Sequence, residues 1–291
     1  MGLLTEGGGK IILLNRFKVL KKLGEGRFGN VYLVRDTRNG KTYALKEARD
    51  QLFLNQLLNE AQNMLLIDHP HLVKLHQYFI SRRGRKIYIL YEYCDGGDLK
   101  GYVEKKGGKL TVEEALRILK QVAQGLSYLH RLGYIHLDIK PENVLAKFKE
   151  RKRLWKLGDF GLIKPRGYSG ILDVKGTRGY IAPEVFRGEI HRSSDIFSLG
   201  CLFYYMLTGR HPFKAETPAE ELKRNKEGKI HPPEGLPPEL KEIFSKMVKI
   251  NPFQRYRTAD QLLTHLKKIG VLRDDELSNS HQYEHRGQTK F

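Results

Sequence analysis

Cysteine is nearly absent from this 291-residue chain, which contains only Cys94 and Cys201. Two cysteines exclude a disulfide framework and a four-cysteine zinc site, so we expect an intracellular, cytoplasmic protein. No uninterrupted apolar run reaches the roughly 18 to 20 residues that a membrane-spanning helix needs. The first residues have no basic segment before an apolar stretch, and Glu6 occupies the position where myristoylation requires Ser or Thr. These absences argue against a secretory signal and against this lipid anchor.

Acidic residues are scarce relative to basic ones. The chain has 33 Asp and Glu against 52 Lys and Arg, a formal net charge of +19. Such a field attracts polyanions, which include acidic proteins, nucleotides, nucleic acid and anionic membrane surfaces. A solvated basic surface without a specific partner is the simpler interpretation. The hydrophobic fraction of 40% is ordinary for a globular protein, and the length predicts about two folding units.

The first third of the chain is predicted to be rich in strands. Asn39-Gly40 between two alternating segments is a strong hairpin signal. A segment with apolar residues at helical spacing follows, and His69-Pro70 ends it. The predicted elements are strands over residues 17–24, 31–36, 41–48, 73–80 and 86–93, and a helix over residues 51–67.

After Gly96-Gly97 the pattern becomes helical. Thr111, with Glu114 three residues later, is typical of a helix N-terminus. We predict helices over residues 111–133, 193–209, 237–248 and 258–270, and we find no internal repeat. The predicted organisation is an N-terminal extension (1–16), a small strand-rich domain (17–94), a larger helical domain (95–272) and a polar tail (273–291).

Three glycines follow the first predicted strand in a G-x-G-x-x-G-x-V pattern, formed by Gly24, Gly26, Gly29 and Val31. Glycine lets backbone amides approach phosphate oxygens closely. The same glycines could open a dinucleotide-binding unit, but that fold requires a helix directly after Gly29, where the sequence predicts a strand. A hairpin covering a phosphate is therefore favoured over that unit, and a tight turn that binds nothing is the other interpretation.

Several polar residues stand where chemistry is possible. Lys46 shares a strand face with Ala44, and Glu60 in the next helix could pair with it, although spacing alone does not settle this. Asp138 could accept a hydroxyl proton, and the side-chain oxygen of Asn143 could bind a hard cation. Each of these residues taken alone is equally typical of a turn or a solvated surface. The same holds for Asp159, a possible Mg²⁺ ligand, and for Asp195, a possible helix cap.

Taken together, the motifs resemble the protein-kinase signature set. They appear in the order G-x-G-x-x-G-x-V, A-x-K, Glu, H-x-D-x-K-x-x-N, D-F-G and A-P-E, and the resemblance covers about residues 17–270. It implies an α+β, bilobal protein-kinase fold, with a small antiparallel-sheet lobe carrying one helix and a larger, mainly helical lobe. It also implies ATP and Mg²⁺ as cofactors and protein substrates. The net charge of +19 predicts that these substrates carry acidic residues near the acceptor.

The resemblance also implies residue roles. Catalytic roles fall to Asp138, Lys140, Lys46, Glu60 and Thr177, and Mg²⁺ would be held by Asn143 and Asp159. Nucleotide-binding roles fall to Leu23, Gly24, Gly26, Gly29, Val31, Ala44, Lys46, Tyr91, Glu92, Cys94, Asp98 and Leu145. Met64, His136 and Phe160 are expected to form an apolar spine, and Glu184 is expected to pair with Arg255.

Lys140-Pro141-Glu142-Asn143 resembles the catalytic loop of Ser/Thr kinases. Leu137 departs from the family, because it replaces the Arg of H-R-D, a change reminiscent of the Wee/Myt branch. Leu137 has no donor for a phosphate, so we expect activity that does not require phosphorylation of the activation segment. The basic sequence KFKERKRLWK (147–156) is a second oddity, interpreted as a solvated hairpin or, less simply, as a partner contact.

The leading hypothesis is an active Ser/Thr protein kinase. The main alternative is a pseudokinase that keeps the fold as a scaffold, which the presence of Lys46, Asp138, Asn143 and Asp159 disfavours. A small-molecule phosphotransferase is disfavoured by the A-P-E element. A nucleic-acid-binding protein is suggested only by the net charge of +19.

Overall fold

The computed structural model describes residues 12–26, 29–48, 54–81, 86–168 and 179–271. The chain divides into two compact units, and the main change of unit falls between Gly96 and Gly97. Residues 147–153 group with the first unit, and residues 69–72 group with the second. Within the described ranges, none of the helices combines the length and apolar character that crossing a bilayer requires.

The described residues of the first unit form a six-stranded antiparallel sheet and one helix. Five of the strands and the helix were predicted, whereas β1 lies within the predicted N-terminal extension. The strand order is β1-β2-β3-β4-β6-β5. Helix α1 ends at Met64, three residues before the predicted end, because the Ile67 N–H closes a tighter turn onto the Met64 carbonyl. The elements are β1 Ile12–Leu13, β2 Phe17–Gly26, β3 Gly29–Asp36, β4 Thr42–Ala48, α1 Leu54–Met64, β5 Leu75–Ile80 and β6 Ile87–Glu92.

One face of this sheet carries the apolar core of the first unit. Cross-strand partners share a face, and the pairing of Leu45 with Leu90 places both in this core. The core cluster consists of Phe17, Val34, Leu45, Tyr88 and Leu90. The predicted hairpin at Asn39-Gly40 forms, with only Gly40 at a positive φ (70°). The side chains on the opposite face of the sheet do not belong to this core cluster.

The second unit is mainly helical. Thr111 caps the long helix α3, as predicted, by accepting a hydrogen bond from the Glu114 N–H at 3.2 Å. Helix α3 packs against α4 and α7. The helices are α2 Leu99–Lys105, α3 Val112–Arg131, α4 Arg192–Thr208, α5 Pro218–Glu227, α6 Pro238–Met247 and α7 Ala259–Lys268, and the remaining strands of the chain are β7 Tyr134–Ile135, β8 Val144–Lys149, β9 Lys152–Leu157 and β10 Lys164–Pro165.

Two of these helices, α2 and α5, were not predicted. Helix α5 has clear terminal signals: Thr217 accepts the Glu220 N–H, Pro218 occupies the first helical position, and Gly228 ends the helix at φ 68°. These signals were readable in the sequence, but the helix is short and mostly charged, so its apolar periodicity is weak.

Candidate active site

In the first unit, Lys46 on β4 and Glu60 on α1 form an ion pair. The Lys46 Nζ lies 2.9 Å from Glu60 Oε2 and 3.2 Å from Oε1, and both side chains are buried. The Tyr91 hydroxyl on β6 donates a third hydrogen bond to Glu60. Removing one partner of such a pair would leave a buried charge uncompensated. Met64, expected in the apolar spine, is buried in the same unit.

The sheet register gathers four predicted nucleotide-binding residues on one face. Val31 lies directly opposite Lys46, and Ala44 lies opposite Tyr91. Because side chains alternate along a strand, Ala44 and Lys46 share a face and Leu45 faces the core on the other side. Val31 and Ala44 are half-buried. This face therefore offers small and β-branched apolar groups beside a buried ammonium group.

The glycine-rich turn lies at the end of the same sheet. Gly24 pairs with Val31 across β2 and β3, and Gly26 pairs with Gly29. A Cβ atom at Gly24 would meet nothing within 4 Å, so the space above this backbone is open. Leu23, immediately before it, is 39% exposed.

Two further predicted nucleotide-binding residues, Glu92 and Cys94, lie at and just after the end of β6. The Glu92 carboxylate accepts the Lys74 N–H at 2.8 Å and an ion pair from Lys147 at 2.6 Å, so the side chain ties neighbouring segments together. The Glu92 N–H donates to the Lys74 carbonyl at 2.9 Å. Any contact of Glu92 with an adenine edge would therefore come from its carbonyl. Cys94 is buried.

In the second unit, the predicted catalytic residues Asp138 and Lys140 form one cluster with Asn143, a predicted Mg²⁺ ligand. The Lys140 Nζ lies 3.0 Å from Asp138 Oδ2. The Asn143 side-chain amide donates to the same oxygen at 2.8 Å and to the Asp138 carbonyl at 2.8 Å. One cation and one amide therefore hold and orient the buried Asp138 carboxylate.

Asp195 on α4 organises the backbone of this catalytic loop. Its buried carboxylate accepts the N–H groups of His136 at 2.8 Å and Leu137 at 2.9 Å, and it contacts the His130 ring at 3.0 Å. Leu137 has φ 66°, a conformation costly for a side chain with a Cβ. The three contacts hold this strained turn. Sequence analysis had interpreted Asp195 only as a possible helix cap.

His136 connects the catalytic loop to the D-F-G segment. Its Nδ1 accepts the Asp138 N–H at 3.3 Å, and its Nε2 lies 3.1 Å from the Gly158 carbonyl. Complete burial lowers the pKa of His136, so the neutral ring carries its proton on Nε2 and donates it to Gly158. The ring also packs edge-on against Phe160, at 5.5 Å between centroids. Asp159, between these contacts, has φ 55°.

Asn143 and Asp159 offer the oxygens expected of Mg²⁺ ligands. The Gly158 N–H donates to the Asn143 carbonyl at 2.8 Å, which holds the segment just before Asp159 against Asn143. No cluster of three His, Cys, Asp or Glu suited to a metal occurs among the described residues. Mg²⁺ is commonly held by one or two protein ligands together with substrate phosphates, so an amide and a carboxylate oxygen fit this ion.

Asp98 and Leu145, two other predicted nucleotide-binding residues, are neighbours joined by an isolated β-bridge. The Asp98 carboxylate caps α2 by accepting the Gly101 N–H at 2.8 Å. Leu145 is half-buried. Asp98 is thus both a predicted nucleotide-binding residue and the N-cap of α2.

Glu184 and Arg255 form the expected buried pair. Two parallel contacts of 2.6 and 2.8 Å join the guanidinium to the carboxylate, and both side chains are fully buried. The Ser194 hydroxyl adds a hydrogen bond of 2.7 Å to Glu184. The A-P-E element is therefore anchored to the helical unit.

Asn225, which sequence analysis did not single out, holds the backbone just before that element. Its Oδ1 accepts the Gly179 N–H at 3.0 Å, and its Nδ2 donates to the Ile181 carbonyl at 2.7 Å. Gly179 has φ 92°, and a Cβ there would lie 2.6 Å from the His211 ring. Thr177, predicted to be catalytic, lies outside the described residues.

Comparison with known proteins agrees with this arrangement. A sequence model of the protein kinase domain matches residues 17–266. Similar proteins include CBL-interacting protein kinase 1 of Oryza sativa subsp. japonica, 34% identical over 85% of this chain and 55% of that protein. Serine/threonine-protein kinase PknB of Mycobacterium tuberculosis is 31% identical over 88% of this chain and 43% of its own length. The chain thus spans about half the length of these curated relatives.

The domain match covers most of the chain, the sheet and helices follow the expected order, and the motif residues lie in buried, mutually bonded clusters. The chain belongs to the protein kinase family.

Proposed function

We propose that this chain transfers the γ-phosphoryl group of Mg-ATP to Ser or Thr hydroxyls of protein substrates. The observation that carries the proposal is the cluster of Asp138, Lys140 and Asn143, in which one carboxylate is oriented by a cation and an amide. The names of the relatives as Ser/Thr kinases support the choice of acceptor. We also propose that residues 17–94 and 95–272 are the two lobes of this enzyme.

In this proposal Asp138 is the general base. The acceptor oxygen attacks the γ-phosphorus, the bond to the oxygen that leaves with ADP breaks, and the hydroxyl proton passes to Asp138. Lys140, 3.0 Å from that carboxylate, would neutralise charge on the transferring group. Mg²⁺ held by Asn143 and Asp159 would neutralise phosphate charge.

The first unit would supply the nucleotide contacts. The Lys46 ammonium, kept in place by Glu60, would hold the non-transferred phosphates, and Val31 and Ala44 would pack against the base from the same face. The open space at the Gly24 backbone suits the approach of a phosphate. Most of the catalytic effect would then come from positioning and charge neutralisation.

An Asp138→Asn variant tests the assignment. With Mg-ATP and casein, turnover should fall by about 100- to 10,000-fold, the usual contribution of a general base. Binding of a fluorescent ATP analogue should stay within about twofold, because the base acts on the acceptor. Ser127→Ala, which removes a part-buried 2.6 Å hydrogen bond to Asp260 elsewhere in the second unit, is the matched control.

The outcomes separate the alternatives. Retention of wild-type turnover by Asp138→Asn would contradict the catalytic assignment. A wild-type chain that binds the nucleotide but phosphorylates nothing on an unbiased peptide array would favour the pseudokinase. A Lys46→Met variant should lose turnover through lost phosphate positioning.

We further propose that activity does not require a phosphorylated activation segment. Leu137 offers no cationic side chain, and its backbone is already fixed by Asp195. The test is kcat/KM before and after exhaustive phosphatase treatment, with mass spectrometry of residues 162–181. An unchanged value is expected, and a tenfold loss restored by Mg-ATP would refute the idea. The candidate phosphorylation sites of the activation segment are Tyr168, Ser169 and Thr177. The structure describes Tyr168, whereas Ser169 and Thr177 lie outside the described residues.

The net charge of +19 supports a preference for substrates with acidic flanks. A peptide array should then be enriched in Asp and Glu around the acceptor, with rates that fall as salt rises. Enrichment in Arg or Lys would contradict this preference.

A further inference from the structure

Strands β8 and β9 are joined by a tight turn of two residues, Glu150 and Arg151. Both have positive φ, 49° and 65°, which is the pattern of a type I′ hairpin turn. This turn normally takes Asn and Gly, and a residue with a Cβ in the left-handed region costs roughly 1–2 kcal/mol. The chain thus carries two charged side chains at a position where uncharged, more stable choices exist.

The segment around this turn is anchored to the first unit. We call residues 147–153 the basic tip. The Phe148 N–H donates to Asp95 Oδ1 at 3.0 Å, and the Lys147 Nζ lies 2.6 Å from the buried Glu92 carboxylate. A two-residue turn with two fixed attachments presents its remaining side chains on a rigid support, so little ordering is needed on binding.

Three exposed side chains of the basic tip are cationic, and the exposed Glu150 is the one carboxylate among residues 147–153. Lys149, Arg151 and Lys152 are exposed, and none of the three has a hydrogen bond or an ion pair with another residue of the described ranges. The Arg153 guanidinium lies 5.1 Å from the centre of the Phe148 ring, which is 46% exposed. The positive charges of Lys149, Arg151 and Lys152 repel one another, and an anionic ligand would relieve this repulsion.

We propose that the basic tip binds an acidic segment of a partner protein that carries an apolar or aromatic side chain among its carboxylates. The carboxylates would pair with Lys149, Arg151 and Lys152, and the apolar side chain would pack on Phe148. This interaction goes beyond the proposed phosphoryl transfer, because binding requires none of the residues assigned to catalysis.

A protein segment fits this surface better than nucleic acid does. Single-stranded nucleic acid is usually held in a basic groove that follows several nucleotides, with open aromatic faces for stacking. The basic tip is a single projecting turn, and Arg153 lies over its aromatic ring. A short run of carboxylates flanking one apolar residue matches both its size and its charge.

The test measures binding of a fluorescein-labelled peptide, Glu-Asp-Glu-Phe-Glu-Asp-Glu, to the full chain by anisotropy at 50 and 300 mM salt. The triple variant Lys149→Glu, Arg151→Glu, Lys152→Glu should bind at least tenfold more weakly at 50 mM salt. The matched control is Lys229→Glu, Lys241→Glu, Lys249→Glu, which makes the same charge change at three exposed lysines of the second unit and should change affinity less than threefold.

A second arm tests the aromatic contact. Phe148→Ala should weaken binding of the Phe-containing peptide several-fold. Its affinity for the corresponding Ala peptide should stay within about twofold of the wild-type value. Thermal melting of every variant within a few degrees of wild type shows that the fold is retained.

Three results would overturn the proposal: no binding of the peptide by the wild-type chain at 50 mM salt, equal losses in the two triple variants, or tighter and more tip-dependent binding of an oligouridine RNA than of the peptide. The second result would assign the effect to the overall charge, and the third would assign the surface to nucleic acid. Casein phosphorylation by the triple variant, measured alongside, reports on the proposed kinase activity separately.

Discussion

Replacing Asn225 by Asp, a nearly isosteric change, should make the stability of the second unit strongly dependent on pH. Asn225 is fully buried. It accepts from the Gly179 N–H at 3.0 Å and donates to the Ile181 carbonyl at 2.7 Å. A carboxylate can still accept from Gly179, but it cannot donate to Ile181, and it would place a buried negative charge against a carbonyl oxygen.

The introduced carboxyl should therefore become protonated in the folded chain, because the neutral form can donate an O–H to Ile181. Its pKa is then raised above the unfolded value of about 3.9, and stability is lost as pH rises toward the folded pKa. At about 1.4 kcal/mol per pH unit, the penalty relative to wild type reaches about 4 kcal/mol at pH 7 and about 1.5 kcal/mol at pH 5.

Replacing Asn225 by Leu provides the contrast. Leu removes both hydrogen bonds and leaves the Gly179 N–H and the Ile181 carbonyl buried without this partner, at about 1–3 kcal/mol each. This penalty of about 2–6 kcal/mol involves no titration, so it should be the same at pH 5 and pH 7. The pH dependence of the free energy of unfolding thus distinguishes the two variants even where their penalties at one pH are similar.

The assay is urea unfolding followed by fluorescence of Trp155, the single tryptophan, which is buried. Wild type is measured at each pH as the reference, and Ser127→Ala is the control for loss of an unrelated, part-buried hydrogen bond. A penalty for Asn225→Asp that is equal at pH 5 and pH 7 would refute the reasoning, since the amide would then not be holding both backbone groups in a dry site.

Three further outcomes are expected. Arg255→Leu should lower the free energy of unfolding by about 3–5 kcal/mol, because it leaves the buried Glu184 carboxylate unpaired; a loss under 1 kcal/mol in urea unfolding would contradict this. Burial lowers the pKa of His69 to about 3 and of His71 to about 4, so the free energy of unfolding should be greatest above about pH 6.5 and fall as pH drops toward these values, with His71→Gln flattening the curve. Gly125→Ala should lower the melting temperature although it favours a helix, because the new Cβ would lie 2.4 Å from the His71 carbonyl oxygen; a higher melting temperature would disprove that contact.

Local patterns were sufficient for most of the secondary structure. Alternation predicted the strands of the first unit, and Thr111 marked the start of α3. The helix α5 was missed because its residues are mostly charged, although Thr217 and Gly228 at its ends were correct signals. Apolar periodicity finds elements that bury a wide face, and it is weak for a short helix that contributes one buried polar residue, Asn225.

The motif residues were predicted in order, but their partners were not always deducible. Lys46 and Glu60 stand 14 residues apart on different elements, and spacing alone allowed other pairings until the resemblance to kinases was considered. The roles of Lys140 and Thr177 likewise came from that resemblance, and both stay predictions. The hairpin at residues 147–156 was predicted, whereas the lack of acidic partners for Lys149, Arg151 and Lys152 within the described residues required coordinates.

Residue identity and order were enough to establish the family, the two-part organisation and the chemistry available, because phosphate approach, proton acceptance and cation binding each demand particular side chains at particular positions. Only the tertiary structure showed which distant side chains hold the backbone of the motif residues. Asp195 binds the backbone of His136 and Leu137 from 58 to 59 residues away, and Asn225 binds Gly179 from 46 residues away. Backbone N–H and carbonyl groups are the same in every non-proline residue. The sequence therefore does not show which backbone group a polar side chain will bind.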